Sequence, residues 1–293
     1  MSECRGRAPA RAALAGNPSD GYGGAVLAVA IEAFAAEAVV EGAGWQACDR
    51  TELVDATVRR FFREFLPGGD PGLIRVAWNT TIPRSVGLGG SSAIVLAVLR
   101  ALSSLHGVAL SPAALAELAL SIEVDDLGIS AGLQDRVAQS YGGVTFMEFG
   151  EQARYERLET ASLPPLLIAW RPDAAEASGV VHGDLRSRHQ EGDPVVLESM
   201  VELASAARRA RAAALAGDGA ELARCADRSF DARARMLALD ARHVEMIEVA
   251  RRHGAGANYT GSGGAVICVC EGERHREAVA LALAAAGCST LPI

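Results

Sequence analysis

The chain has no lysine; all 28 of its basic residues are arginine. A Walker-type phosphate loop needs Gly-Lys-Ser/Thr and a Schiff-base enzyme needs an amine, so both chemistries are excluded. Any cation that holds phosphate in this protein must be an arginine or a metal. Aromatic residues are scarce as well, at 5%, which leaves the core to Ala, Leu and Val. None of the six cysteines (Cys4, Cys48, Cys225, Cys268, Cys270, Cys288) belongs to a Cys-x-x-Cys pair, and the six histidines show no spacing that completes a zinc site. Cys268 and Cys270 flank Val269 in a strand-like run, so they share a face and read as buried free thiols. No apolar run is long enough to span a bilayer; the one from Ala25 to Ile31 stops at Glu32. Met1 to Arg7 lacks the apolar core of a signal peptide, so a cytosolic protein with no membrane partner is expected.

What is present is a globular composition. With 293 residues, 50% of them hydrophobic and 22% charged, the chain fits one large domain or two ordinary ones with ample core. That is too apolar for disorder. A formal net charge of −8 disfavours a nucleic-acid partner.

The opening forty residues read as strand, turn, strand: Pro9 to Ala15 and Ala25 to Val39 are apolar, and Gly16 to Gly21 is dense in turn formers. Periodicity predicts a helix over Thr51 to Phe65, and Ile74 to Thr80 reads as a strand. A helical run follows Ala93, and another starts at Ser111, a plausible N-cap with Pro112 in its first turn. Leu133 to Tyr141 reads as helix and Val144 to Phe149 as strand. Leu163-Pro164-Pro165 marks a boundary, and two unequal lobes, 1–160 and 161–293, are expected. Beyond it come a strand (Leu166 to Trp170) and a helical region from Val195 to about Arg252. Gly217-Asp218-Gly219 and Leu239-Asp240 break that region into three helices. A strand (Ala265 to Val269), a helix (Arg274 to Ala286) and a short strand close the chain. The class is α+β.

Four stretches carry possible chemistry. The loop Gly87-Leu88-Gly89-Gly90-Ser91-Ser92-Ala93 precedes a helix, where glycines admit a ligand and unpaired amides favour phosphate. A Gly-rich turn with a serine cap has the same look. Glu123 and Asp135 are separated by a helix end and a loop. One could hold a metal while the other accepts a hydroxyl proton, or Glu123, Asp125 and Asp126 could form a solvated helix terminus and Asp135 an N-cap. Gly261-Ser262-Gly263-Gly264 lies directly before an apolar strand, as a tight turn or as a close approach to a ligand. Arg11 and Asp20 flank the first turn, where Arg could steady a phosphate and Asp could bind hydroxyls, unless both are surface groups.

Taken together and in order, these segments resemble the GHMP small-molecule kinases. The resemblance is carried by Ala8-Pro9-x-Arg11 with Gly16-Asn17-Pro18-Ser19-Asp20, by Pro83 and Gly87 to Ala93, and by Gly261-Ser262-Gly263-Gly264. Within that superfamily the likeness to plant glucuronokinases adds Ile82-Pro83-Arg84, Ala131 to Gln139, Tyr141-Gly142-Gly143 and Tyr259 to Val266. It implies a two-lobed fold, with an N-terminal α/β nucleotide-binding lobe and a C-terminal ferredoxin-like α+β lobe. It also implies ATP and Mg²⁺ as cofactors and a sugar acid, D-glucuronate, as the small-molecule substrate of a monomer or homodimer. Residue by residue, Gly87 to Ala93 would wrap the ATP phosphates. Ser92, or Ser91, would meet Mg²⁺ together with Glu123. Asp135 and Arg11 would be catalytic, and Asp20 and Gly261 to Gly264 would bind substrate. The central loop is one residue longer than in most of the superfamily, which leaves the choice of serine open. Arg84, Arg136, Arg186 and Arg188 are candidate partners for a uronate carboxylate. A kinase of another small alcohol, or a sensor that lost transfer, are the competing readings.

Overall fold

The computed structural model describes residues 3–42, 51–159, 163–172 and 179–293. Two long strands open it, β1 (Glu3–Ala15) and β2 (Ala25–Gly42), joined through a single 3-10 turn at Ser19–Tyr22. From Ala8 onward β1 is buried residue after residue, so it reads as a continuous apolar run instead of an alternating one. Packing divides the chain into two units whose segments interleave along the sequence. One comprises Met1–Ala10, Ile31–Ile82 and Gly89–Gly142; the other comprises Arg11–Ala30, Pro83–Leu88 and Gly143–Ile293. β1 and β2 therefore contribute residues to both.

In the first unit, β2 pairs antiparallel with β3 (Ile74–Thr80), from Ala36 opposite Thr80 to Gly42 opposite Ile74. Helix α1 (Glu52–Phe65) starts at Thr51, whose hydroxyl accepts from the Val54 amide. Helix α2 (Gly90–His106) is apolar nearly all round and buries Val95, Leu96, Val98, Leu99 and Leu102. Helix α3 (Pro112–Ser121) has the expected Ser111 cap, which accepts from Ala114 at 3.2 Å, and it runs on into a turn of π-helix at Ile122–Asp126. Helix α4 (Gln134–Tyr141) completes this unit.

The second unit pairs the start of β2 with β4 (Val144–Glu148), and β4 with β5 (Arg154–Arg157), both antiparallel. It also holds a separate four-stranded antiparallel sheet of β6 (Leu166–Trp170), β7 (Gly256–Tyr259), β8 (Ala265–Val269) and β9 (Ser289–Pro292), in the order β7-β8-β6-β9. Between β6 and β7 lie α5 (Gly179–Gln190), α6 (Pro194–Ala216), α7 (Gly219–Met236) and α8 (Ala241–Arg252), and α9 (Glu273–Ala285) links β8 to β9. With helices between the first and second strands and between the third and fourth, this is the ferredoxin-like β-α-β-β-α-β arrangement expected for the C-terminal lobe. Its core joins Leu167, Met246, Ile247, Val266, Val279 and Leu283. Cys268 and Cys270 are buried free thiols here, as expected; burial pushes the Cys270 thiol up to about 11. Cys48 lies outside the described residues. Among the described residues no helix is long and apolar enough to cross a membrane.

The breaks at Gly217-Asp218-Gly219 and Leu239-Asp240 separate α6, α7 and α8. Helix α5 and the four-residue strands β5 and β7 are additions that the sequence reading does not contain.

Candidate active site

In the first unit the end of the Gly87–Ala93 loop becomes the first turn of α2. Gly89 is left-handed, and its carbonyl accepts three bonds: from the Ala93 amide at 3.1 Å, Ser92 Oγ at 3.1 Å and Gln139 Nε2 at 2.7 Å. The amides of Gly90, Ser91 and Ser92 have no intrahelical acceptor, so the positive end of α2 is presented by three donors in a row.

Ser91 is exposed and Ser92 is buried. Ser91 Oγ donates to Glu123 Oε1 at 2.7 Å, whereas the Ser92 hydroxyl is turned back onto Gly89. Glu123 is 0% exposed and sits on the π-helical turn after α3, a kind of irregularity common at functional sites. Its other oxygen, Oε2, accepts from Arg136 Nε at 2.9 Å and from a second nitrogen of the same guanidinium. The third Arg136 nitrogen donates to the Gly132 carbonyl at 2.5 Å. Glu123 is thus not part of a solvated helix end. Its neighbours Asp125 and Asp126 are the solvated ones, lying 3.6 Å and 3.0 Å from Arg60.

Asp135 is half-buried in the first turn of α4. The N-cap of that helix is Leu133, without a side-chain cap bond. Gln139, which holds the Gly89 carbonyl, is four residues on, so Asp135 and Gln139 occupy the same helix face roughly 5–6 Å apart at Cβ.

In the second unit the buried Arg11 side chain donates to the Gly87 carbonyl at 2.6 Å and to the Thr260 carbonyl at 2.8 Å, and its own amide donates to the Leu88 carbonyl. Thr260 Oγ1 adds a bond to the Gly87 carbonyl at 3.0 Å. Two glycines are fixed by this approach. Gly87 has φ +73° and a Cβ there would lie 2.7 Å from the Gly263 carbonyl oxygen; a Cβ at Gly261 would lie 2.4 Å from the Gly87 carbonyl oxygen. Gly87, Leu88, Arg11 and the Gly261–Gly264 loop therefore form one packed cluster. Asp20 lies on the 3-10 turn, where its charge bears on Arg233 and on Tyr22. Burial is the larger reason that the Tyr22 phenol is raised.

Of the four arginines considered for a carboxylate ligand, Arg136 is committed to Glu123. Arg188 is committed to Asp193 at 2.9 Å and to the Met236 carbonyl at 2.6 Å. Arg84 is exposed, and Arg186 is exposed on α5 beside Tyr22.

The residue that the sequence reading misses is Arg233. It is 1% exposed on α7 and donates to the Gly261 carbonyl at 2.7 Å and to the Ser262 carbonyl at 3.1 Å. A signal existed: Leu222, Ala226, Ser229, Phe230, Arg233 and Met236 recur at helical spacing and are all buried, so an arginine interrupts an apolar stripe.

A Mg²⁺ ion meets hard oxygen donors, keeps several waters, and uses one or two carboxylates plus substrate phosphates. Glu123 Oε1 and Ser91 Oγ supply such a pair at the N-terminus of α2. Among the described residues there is no group of three or more His, Cys, Asp or Glu that could cage a metal. The donor set fits an ion that arrives with a phosphate ligand.

Residues 52–143 match the family described as GHMP kinases N terminal domain, and residues 210–288 match GHMP kinases C terminal. Glucuronokinase 1 of Arabidopsis thaliana is 40% identical over 204 residues, which cover 66% of this chain and 56% of that protein. The match thus spans little more than half the length of the plant relative. D-glycero-alpha-D-manno-heptose 7-phosphate kinase of Campylobacter jejuni is 42% identical over 73 residues, 25% of this chain and 22% of that one. The fold is shared with a D-glycero-D-manno-heptose 1-phosphate kinase from Bacteriodes thetaiotaomicron (TM-score 0.76, 23% identity, 98% and 94% of the two chains). It is shared too with the phosphomevalonate kinase of Streptococcus pneumoniae (TM-score 0.82, 12% identity, 100% of both).

Proposed function

The chain belongs to the GHMP kinases, and from that premise we propose that it transfers the γ-phosphoryl group of ATP to a sugar acid, converting D-glucuronate to D-glucuronate 1-phosphate. The observation that carries the reading is the buried Glu123, held between Ser91 and Arg136 at the N-terminus of α2. A carboxylate with 0% exposure beside three unpaired amides has no use in a plain helix cap. The 40% identity to a plant glucuronokinase supports the choice of acceptor.

Phosphoryl transfer asks a protein for position and charge more than for covalent chemistry. The amides of Gly90, Ser91 and Ser92 would bind phosphate oxygens, with the Gly89 carbonyl held out of their way by Gln139 and Ser92. Ser91 and Glu123 would hold Mg²⁺, which would supply positive charge against the phosphates. Arg136 fixes the Glu123 carboxylate so that Oε1 stays turned to Ser91. Asp135 would accept the proton of the attacking hydroxyl, and Arg11 would steady the transferred group, since no lysine can. Asp20 would bind sugar hydroxyls. Arg186, beside Tyr22 and bound to no other described side chain, would meet the uronate carboxylate.

The serine choice is testable. Ser91→Ala should raise the Mg²⁺ concentration for half-maximal rate about tenfold, and Ser92→Ala should leave it unchanged in the same titration. The reverse pattern would overturn the Ser91 assignment.

The acceptor is tested with ATP, Mg²⁺ and a panel of glucuronate, galacturonate, glucose, galactose, mevalonate and homoserine, read as ADP release. Glucuronate should lead. Glucose forgoes the charge-assisted hydrogen bonds to that arginine, worth about 1.5 kcal/mol, so kcat/KM should fall roughly tenfold or further. Arg186→Met should narrow that gap. Equal turnover of glucose or mevalonate removes the sugar-acid assignment and leaves a kinase of another alcohol.

A further inference from the structure

Arg233 is a buried cation without an anion. Its two terminal nitrogens are spent on backbone carbonyls, its plane lies 5.2 Å over the Tyr259 ring, and no carboxylate of the described residues comes within ion-pair distance. Nε is buried with no hydrogen-bond partner. Burying a charge uncompensated costs several kcal/mol, and a guanidinium does not escape by releasing its proton. Burial pushes Arg233 down only to about 10, with Arg11 adding repulsion and Tyr259 and Asp20 opposing it.

The loop that Arg233 holds has an unusual polarity. Four consecutive carbonyls are drawn onto donors of the protein: Tyr259 by Asn17, Thr260 by Arg11 and the Ala13 amide, Gly261 by Asn17 and Arg233, and Ser262 by Arg233. The amides of Gly261, Ser262, Gly263 and Gly264 donate to no acceptor among the described residues. Carbonyls tied back and amides left over make a concave donor surface of the kind that takes oxyanions.

We propose that Arg233 is a positioning residue that ties back the Gly261 and Ser262 carbonyls and supplies the buried positive charge for a phosphoryl group bound on the amides of the Gly261–Gly264 loop. The inference rests on the phosphoryl-transfer reading but not on the identity of the sugar. Arg233 acts through the loop and through its field, without touching the substrate.

The test uses the full chain and inorganic pyrophosphate as probe, so that it does not depend on knowing the acceptor. Arg233→Met should bind pyrophosphate roughly tenfold more weakly than the unaltered protein. With whichever acceptor is turned over, kcat should fall by about 10²-fold at little change in the KM for ATP. Arg233→Lys, which keeps the charge, should recover most of the pyrophosphate affinity. Arg233→Gln keeps a donor for one carbonyl and loses the charge; it should behave like the Met variant, and it serves if that variant does not fold. Pyrophosphate affinity unchanged in Arg233→Gln overturns the proposal, as does an Arg233→Lys variant no better than Arg233→Gln. If no acceptor is phosphorylated yet pyrophosphate binding tracks the charge at 233, the kinase reading fails and the anion site stands.

Discussion

Asp135→Asn should lower kcat by about 10²-fold or more while the KM for ATP changes little. The exchange is nearly isosteric and removes the ability to take a proton and the negative charge. It removes no helix cap, because Leu133 is the N-cap of α4 and makes no side-chain cap bond. A carboxylate in the first turn of a helix contributes on the order of 0.3–1 kcal/mol through the dipole, so the melting temperature should move by no more than a few degrees. Activity and stability are thereby separated: a large fall in kcat with a near-native melt supports the proton-accepting role. Native-like turnover in Asp135→Asn would eliminate it. The neighbouring Gln139 gives a reference, since it lies on the same face and its side-chain amide donates to the Gly89 carbonyl.

The second large effect is on stability. Glu123→Ala should cost about 3–5 kcal/mol, because it leaves Arg136 as an unpaired charge in the interior. The Arg136 and Glu123 side chains are 4% and 0% exposed, so water cannot take over the lost contact. Set against a total of about 5–15 kcal/mol for a typical domain, that is a large fraction. The midpoint of denaturant unfolding should fall at unchanged slope. Glu123→Gln keeps an acceptor for the guanidinium and should lose less stability, yet it should still raise the Mg²⁺ requirement. A Glu123→Ala protein as stable as the parent would mean that the pair is solvated and that Glu123 is not the buried hinge of the site.

Much of the fold was legible because the signals were local. Ser111 caps α3 where a serine ahead of Pro112 predicted it, and Asp218 and Asp240 cap α7 and α8 at the breaks the sequence shows. β5 was not legible, since Arg154-Tyr155-Glu156-Arg157 is polar on both faces and pairs through its backbone with β4. β7 escaped for the opposite reason: Gly256-Ala257-Asn258-Tyr259 is short and buried throughout, so it shows no alternation. In the site, the sequence named Glu123 but could not separate it from Asp125 and Asp126. Only the π-helical turn sends the one carboxylate inward and leaves the other two to Arg60 and Arg63. The choice between Ser91 and Ser92 is likewise a matter of rotation about α2, invisible in the string Gly-Gly-Ser-Ser. Arg233 shares its helix with other arginines, and its burial comes from β7 and the loop after it.

The central claim is transfer of the ATP γ-phosphoryl group to the anomeric hydroxyl of a sugar acid. Its most direct measurement is the ³¹P spectrum of the products formed from ATP, Mg²⁺ and D-glucuronate by the full chain. The account predicts ADP together with a new phosphomonoester signal coupled to the anomeric proton, both formed about 10²-fold more slowly by the Asp135→Asn protein. Hydrolysis of ATP to free phosphate without a sugar phosphate would contradict it, and so would a phosphate on any hydroxyl other than the anomeric one.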